Sequence, residues 1–487
     1  MMIDMADDLK KETIKGVGWS FADNIIKLGV SFVVSVIMAR ILTPNIYGVV
    51  GIVTIFTSLF SSFIDCGLST ALIRKKEVTD DDYSTMFIAN FTIALFFYLI
   101  LFLCAPFFSS FFNIEGLTVL LRVAGLCILI DSLSLIQKTI LTKRIDFKTQ
   151  TKITAIAGLS SGVIGICMAV SGYGVWALVA QILSSCTFIT MQLWIYNRWC
   201  PKLAFSWGSF KAMFGFGWKL MVIGLMSTLW NDIYNFVIGK FYSSTSLGLY
   251  NRAKQFSDLI SRNMTTVVQR VSLPVLSKMQ DDEDRMKSVY IRSIRLTAYV
   301  SFVLLFGLSG ISKSLIYVLL GEKWMLASEY LPLVAINVLL YPVGVINLNM
   351  IALKGRSDLC LYVEMIKKVF AIIPIVVGVF VNIKTMLVVS ICVSTMSYFL
   401  NCYYSKRVIE YTIGSQVKDI APSFFISISM FVMISFMNFM PISFYVLLPL
   451  QIVSGGVFVL LISRIFKMHE YYEIKNILLM IKAKFNR

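Results

Sequence analysis

Runs of about twenty mostly apolar residues recur from Gly16 to Ile465, and only short polar segments separate them. Each run is long enough, as a helix rising about 1.5 Å per residue, to cross a hydrocarbon core of about 30 Å. The interior of a soluble domain cannot hide so many apolar faces. Here 57% of the residues are hydrophobic and 15% are charged, against about 45–50% and about 25% in ordinary soluble chains. The expected fold is therefore an all-α polytopic membrane protein. Fourteen transmembrane helices fit the pattern, over 16–40, 46–73, 83–104, 116–137, 153–170, 174–196, 212–239, 245–276, 290–311, 330–353, 359–381, 385–404, 420–437 and 442–465.

The net charge of +17 would suggest nucleic acid in a soluble protein. In this chain the basic residues sit between the apolar runs, where they set orientation, so no nucleic-acid partner is expected. With the N-terminus inside, 28 Lys and Arg fall in inner segments and five in outer ones: Arg40, Lys240, Lys313, Lys323 and Lys384. Both termini are thus expected on the cytoplasmic side of the membrane. The eighth run, 245–276, is the least apolar. Omitting it would invert every later span and put the Lys-rich tail outside, so it is kept. The hydrophilic N-terminus lacks a small-residue cleavage site, and the first span reads as a retained anchor.

Nine Cys occur singly with no CxxC pair, which implies no disulfide framework. His469 is the one histidine, so zinc or haem chemistry is not expected, and no GxxxxGK[ST] loop would bind ATP. Neither a cofactor nor a metal is called for, and no loop is long enough for a soluble catalytic domain.

The chain resembles itself at a spacing of about two hundred residues. Gly16-Val-Gly18-Trp19 is echoed by Gly215-Phe-Gly217-Trp218, Ala39-Arg40 by Gly239-Lys240, and Tyr47-Gly48 by Leu247-Gly248. After the fourth span comes Thr142-Lys-Arg144-Ile-Asp146-Phe147, and after the tenth Lys354-Gly-Arg356-Ser-Asp358-Leu359. Six spans separate the copies, so both have the same orientation, as in transporters built from parallel repeats. The expected organisation is an N-lobe over 1–210, a C-lobe over 211–405, and a helical hairpin with a basic tail over 406–487.

Several of these segments form a pattern: Gly16-x-Gly18-Trp19, Arg40-Ile-Leu-Thr-Pro-x-x-Tyr47-Gly48, Lys143-Arg144-x-x-Phe147-Lys148, Gly172-Tyr-Gly-Val-Trp-Ala-Leu178, Leu247-Gly-x-Tyr250-Asn-Arg252-Ala and Leu320-Gly-Glu-Lys-Trp324. In that order they resemble the polysaccharide transporter family. These are the O-antigen and exopolysaccharide flippases of the superfamily that also holds the multidrug and toxin extrusion carriers. The resemblance implies a two-lobed bundle that flips undecaprenyl-diphosphate-linked oligosaccharide across the inner membrane by alternating access. The product would serve O-antigen, capsule or exopolysaccharide assembly. It also implies drive from a membrane potential or ion gradient, contact with membrane lipids, and a polymerase or glycosyltransferase complex as partner.

The eighth span carries the chemistry. One face of its helical wheel holds Ala253, Phe256, Ile260, Met264, Val267 and Val271, and the other holds Arg252, Gln255, Asp258, Arg262, Asn263, Thr266, Gln269 and Arg270. An Arg at bilayer depth costs at least about 2.5–3.5 kcal/mol unless it meets water or partners. A wet cavity lined by this face would bind diphosphate through paired guanidinium donors. The competing reading is a helix lying flat on the inner leaflet.

Asp23 and Lys27, one turn apart in the first span, either face the same cavity or simply neutralise each other. Lys219 reads equally as a cavity cation or an interfacial anchor. Asn231 and Asp232 interrupt an apolar run and suit a sugar, an ion or interhelical hydrogen bonds. Asp65 and Asp131 are candidates for ion coupling, or for pairing with Lys27 or Lys138. Arg292 and Arg295 read as anchors or ligands, and Lys367, Lys368 and Glu364 add charge to the eleventh span. Pro332, Pro342 and Gly344 are expected to kink the tenth.

Other functions remain open at this stage. A drug or cation antiporter of the extrusion type would want an acidic cavity, whereas here basic intramembrane residues outnumber acidic ones. A peptidoglycan-precursor flippase would share the fold and an anionic lipid substrate. A membrane-embedded glycan polymerase or ligase would need a larger outer loop than any present.

Overall fold

A computed structural model describes residues 29–485 except 66, 203, 278, 280 and 281. Asp23 and Lys27 lie outside the described residues, as do the side chains of Asp65 and Arg270. No strand occurs among the described residues. The chain divides into two compact units, Met1–Gly248 and Leu249–Arg487. The first holds α1 (Gly29–Ile41), α2 (Pro44–Asp65), α3 (Leu68–Arg74), α4 (Asp80–Phe112), α5 (Leu117–Ala124), α6 (Leu126–Lys143), α7 (Phe147–Val170), α8 (Val175–Asn197) and α9 (Trp207–Phe241). α10 (Ser244–Ser277) starts at its edge. The second continues with α11 (Glu283–Gly310), α12 (Ser312–Leu320), α13 (Ala327–Asn337), α14 (Tyr341–Leu353), α15 (Ser357–Phe370), α16 (Ile372–Phe380), α17 (Ile383–Lys406), α18 (Ile413–Phe436), α19 (Phe444–Ile465) and α20 (His469–Phe485).

Eleven helical segments among the described residues are long and apolar enough to cross a bilayer. Three stretches expected to span fall outside that group, each for a definite reason. The described part of the first is only Gly29–Ile41. α10 runs unbroken for 34 residues but is too polar to qualify. The eleventh is divided at Ala371 into α15 and α16. Pro374, just inside α16, has no N–H for the Phe370 carbonyl and crowds it, which ends the helix there.

Local chemistry sets other boundaries. Thr79 caps α4 in a reciprocal box with Asp82, whose carboxylate also takes the Lys75 ammonium at 2.6 Å; a cap of this kind contributes about 1 kcal/mol. The tenth span is interrupted rather than gently kinked, with α13 ending at Asn337 and α14 starting at Tyr341. Pro342 in the first turn of α14 cannot donate to Val338, so the first helix stops before it.

The first turns of α2 and α10 pack against each other with almost no gap. A Cβ on Gly48 would stand 1.6 Å from the Ser244 carbonyl oxygen, and one on Gly248 would stand 1.9 Å from that of Pro44. Only glycine permits such an approach of two backbones. Each glycine meets the residue that precedes its own counterpart by four, at the same two-hundred-residue offset seen in the sequence. The seventh span, α9, packs within the first unit, where it meets α2 along Ser58–Asp232 and Ser62–Thr228.

The second unit is held partly by buried polar groups. Tyr290 on α11 donates to the Asn347 side-chain oxygen on α14. Asn347 donates to Gln416 on α18, and Tyr398 on α17 donates to the same Gln416 oxygen. Asn347, Gln416 and Tyr290 are fully buried, so these bonds join four helices where an unmet donor would cost about 1–3 kcal/mol. The tail beyond the last span, expected to be basic, folds into α20. Arg292 and Arg295 lie two to three turns inside α11, because that helix begins at Glu283 under an Asp282 cap. Arg292 pairs with Glu473 of α20, and Arg295 with Asp419 of α18.

Candidate functional site

α10 is about 51 Å long at 1.5 Å per residue, well over the thickness of a hydrocarbon core. Its hydroxyl and amide side chains mostly turn back onto their own helix: Ser257 to the Ala253 carbonyl, Thr265 to Ser261, Thr266 to Arg262 and Asn263 to Leu259. Such back-bonding hides polar groups without a partner helix. The charged residues behave differently, and two classes emerge.

Arg252 is 5% exposed. It donates to Gln255 one turn on, and its guanidinium lies over the indole of Trp324, 5.5 Å from the ring centroid. Trp324 is fully buried in the 3₁₀ turn Glu322–Trp324. Two of the segments that carry the sequence pattern, around Tyr250–Arg252 and Leu320–Trp324, therefore meet in the fold. Arg252 and Gln255 are occupied with one another and with that turn.

Arg262 stands near the middle of α10 with 70% of its side chain exposed and one ion pair, to Asp258 Oδ2 at 3.0 Å. A guanidinium has five N–H donors in a planar fork; one carboxylate contact leaves the remainder directed outward. Arg262, Asp258 and Glu364 of α15 all lie within electrostatic range of the Tyr341 hydroxyl. Glu364 pairs with Lys367 on its own helix, and the Lys367 side chain is 15% exposed. The second unit thus gathers an exposed arginine, two carboxylates, a lysine and an exposed tyrosine from α10, α14 and α15.

In the first unit, Asp232 on α9 accepts from Ser58 Oγ of α2 at 3.1 Å and from Asn235 Nδ2 at 3.0 Å. It borders a cavity of about 210 Å³ lined by Thr228 and by apolar side chains such as Ile55, Phe56 and Leu229. Asn231 and Lys219 are exposed on the same helix. Asp131 on α6 lies near the Cys186 thiol of α8, with Lys138 also within electrostatic range. Among the described residues, no group of three or more His, Cys, Asp or Glu is placed to hold a metal.

Residues 37–329 match the family described as polysaccharide biosynthesis protein. The chain belongs to that family. It is 27% identical over 305 residues to the teichuronic acid biosynthesis protein TuaB of Bacillus subtilis, a match covering 61% of this chain and 62% of that protein. It is 25% identical over 327 residues to the succinoglycan biosynthesis transport protein ExoT of Rhizobium meliloti, covering 67% and 66%. The matched part is just under two thirds of either relative's length. Among solved structures, the lipid II flippase MurJ in an inward closed conformation superposes with a TM-score of 0.71 at 15% identity, over 93% of this chain and 98% of that one; at that identity the likeness is one of fold. Of these, ExoT is described as a transport protein and MurJ as a flippase. This member is a multi-pass membrane protein.

Tyr341 is not among the residues that residue type singles out in the sequence. Its signal was local, a tyrosine immediately before Pro342 in the middle of a span, but its exposure depends on neighbours distant along the chain.

Proposed function

We propose that this protein flips a polyprenyl-diphosphate-linked oligosaccharide from the inner to the outer leaflet of the bacterial inner membrane, for surface polysaccharide assembly, by alternating access. The observation that carries this reading is Arg262: a guanidinium with a single partner, largely exposed, halfway along a helix long enough to cross the bilayer. Holding it there costs at least about 2.5–3.5 kcal/mol unless water or an anion meets it, and a diphosphate matches its fork. Arg252 and Gln255 position α10 against Trp324, Arg262 and Asp258 meet the substrate, and Arg270 is a further basic residue of the same sequence pattern. Asp23, Lys27 and Lys219 supply further charge. Asn231 serves sugar or ion, Asp232 packs α9 against α2 through Ser58, and Asp65 and Asp131 are the carboxylates for ion coupling.

Fourteen crossings follow if α1, α10 and the α15–α16 pair join the eleven apolar segments, and the asymmetry of Lys and Arg puts both termini inside. The reciprocal packing of Gly48 and Gly248 supports two six-helix lobes, 1–210 and 211–405, as parallel repeats, with 406–487 appended. A polymerase or glycosyltransferase on the same pathway would receive or deliver the substrate.

The test deletes the gene and follows the glycan-lipid by leaflet. Accumulation on the inner leaflet, reversed by the wild-type gene and not by Arg262→Ala, is expected. An unchanged surface glycan in the deletion strain would remove the assignment, and full rescue by both Arg262→Ala and Arg252→Ala would remove the basic-face mechanism.

A further inference from the structure

One stripe of α11 changes character along its length. Ser288, Arg292, Arg295, Tyr299 and Val303 recur at spacings of three or four and so share a face of the helix. Arg295 is the last charged residue of α11, and none follows from Leu296 to Gly310. α20 packs on this stripe through the pairing of Arg292 with Glu473. Between the two helices a cavity lies on each side of the change. The polar one, of about 290 Å³, is lined by Arg292 and Arg295 with His469, Glu470 and Glu473. The apolar one, of about 580 Å³, is lined by Tyr299 and Val303, by Gly456 and Leu460 of α19, and by Ile474 of α20. One turn of α11, from Arg295 to Tyr299, carries the wall from one cavity to the other, a rise of about 6 Å.

The polar cavity holds groups of both signs that its own pairs do not exhaust. Glu473 is 8% exposed, and its Oε1 meets Arg292 and His469. Its Oε2 is buried without a hydrogen-bond partner. Arg295 spends Nη2 on Asp419, while its buried Nε has no acceptor. Arg292 reaches Glu473 through Nε, which leaves its terminal nitrogens for another acceptor. A ligand that completes this cavity brings an anion for the guanidiniums and an N–H cation for Glu473 Oε2. A ligand that fills the next one brings hydrocarbon. Where a helix face passes from charged to apolar, phospholipid headgroups meet membrane proteins, and basic pockets between helices hold them.

We propose that the groove between α11 and α20 binds a phospholipid with a primary-ammonium headgroup. Its phosphate lies on Arg292 and Arg295, its ammonium on Glu473, and one acyl chain in the cavity beside Tyr299. A quaternary ammonium has no N–H to give Glu473, and a glycerol headgroup has no cation, so the site separates the three. The site is independent of what α10 binds.

The test titrates purified full-length protein with dioleoyl phospholipids bearing ethanolamine, choline or glycerol headgroups and reads bound lipid by native mass spectrometry. The wild type should bind the ethanolamine lipid about tenfold more tightly than the other two. Glu473→Gln should reduce that preference to about twofold and leave the choline lipid unchanged. Gly456→Phe leaves the ion pairs of α20 alone, and a Cβ at Gly456 meets no atom within 4 Å, so there is room for the ring. It should weaken all three lipids at unchanged melting. The site is refuted if the wild type binds the three lipids equally, if the preference survives Glu473→Gln, or if Gly456→Phe binds the ethanolamine lipid as the wild type does. Displacement of that lipid by bare polyprenyl diphosphate, undiminished in Arg262→Ala, would also overturn it and assign the groove to the carrier.

Discussion

On α9 the carboxylate of Asp232 takes one donor from Ser58 and one from Asn235, whereas on α10 the guanidinium of Arg262 meets a single carboxylate and stays 70% exposed. The two helices follow one another in the chain and each carries charge into a span. On α9 the charge is matched by neighbours on its own helix and on α2, which makes it part of how two helices pack. On α10 most of the donor set stays open, as the proposed ligand site requires. A charge deep in a membrane protein points to ligand binding when its partners are too few, and the bare presence of the charged residue type does not distinguish the two cases.

The largest effect expected on this contrast comes from moving α10 itself. Gly48→Val or Gly248→Val forces a side chain into a backbone carbonyl and should cost about 3 kcal/mol or more, seen as loss of folded protein in a thermal unfolding assay. Wild-type yield and melting from both variants would show that the first turns of α2 and α10 do not pack as described.

Next comes Arg262→Ala. Losing charge-assisted hydrogen bonds of about 1.5–3 kcal/mol should weaken bare polyprenyl diphosphate by roughly 10- to 100-fold, and Arg262→Lys should recover only part of this because an ammonium lacks the fork. Equal affinity in wild type and Arg262→Ala would erase the distinction between the two helices. Added salt should weaken binding to the wild type and have much less effect on the alanine variant, since exposed charges are screened.

The Asp232 changes are expected to be smaller and to appear in stability rather than affinity. Asp232→Leu leaves the donors of Ser58 and Asn235 unmet and should cost about 1–3 kcal/mol, with Asp232→Asn milder because an oxygen acceptor remains. A large drop in substrate affinity with unchanged melting would move Asp232 into the binding site. Smallest of all, Arg292→Ala should shift stability by about 1 kcal/mol or less, as its side chain is 60% exposed.

The spans were readable because burying apolar side chains in hydrocarbon is decided residue by residue, and eleven of the runs stand as apolar helices. The polarity of α10 was equally readable, as was the two-hundred-residue echo within the sequence. The wheel nevertheless placed Arg252 and Arg262 on one polar face, although one is buried on Trp324 and the other is open. Trp324 lies 72 positions further along the chain, and no local period encodes that meeting. For the same reason the junction of Tyr290, Asn347, Tyr398 and Gln416 and the pairing of Arg292 with α20 were invisible beforehand.

The sequence by itself determined that the chain lives in a membrane, roughly where it crosses, and which helix carries the charge, because hydrophobic transfer and charge desolvation act on each segment whatever surrounds it. Only the tertiary structure decided which charges are spent on neighbours and which stay open. Partner, exposure and distance depend on residues far apart in the chain, and a single hydrogen bond across helices converts a candidate ligand into a structural contact.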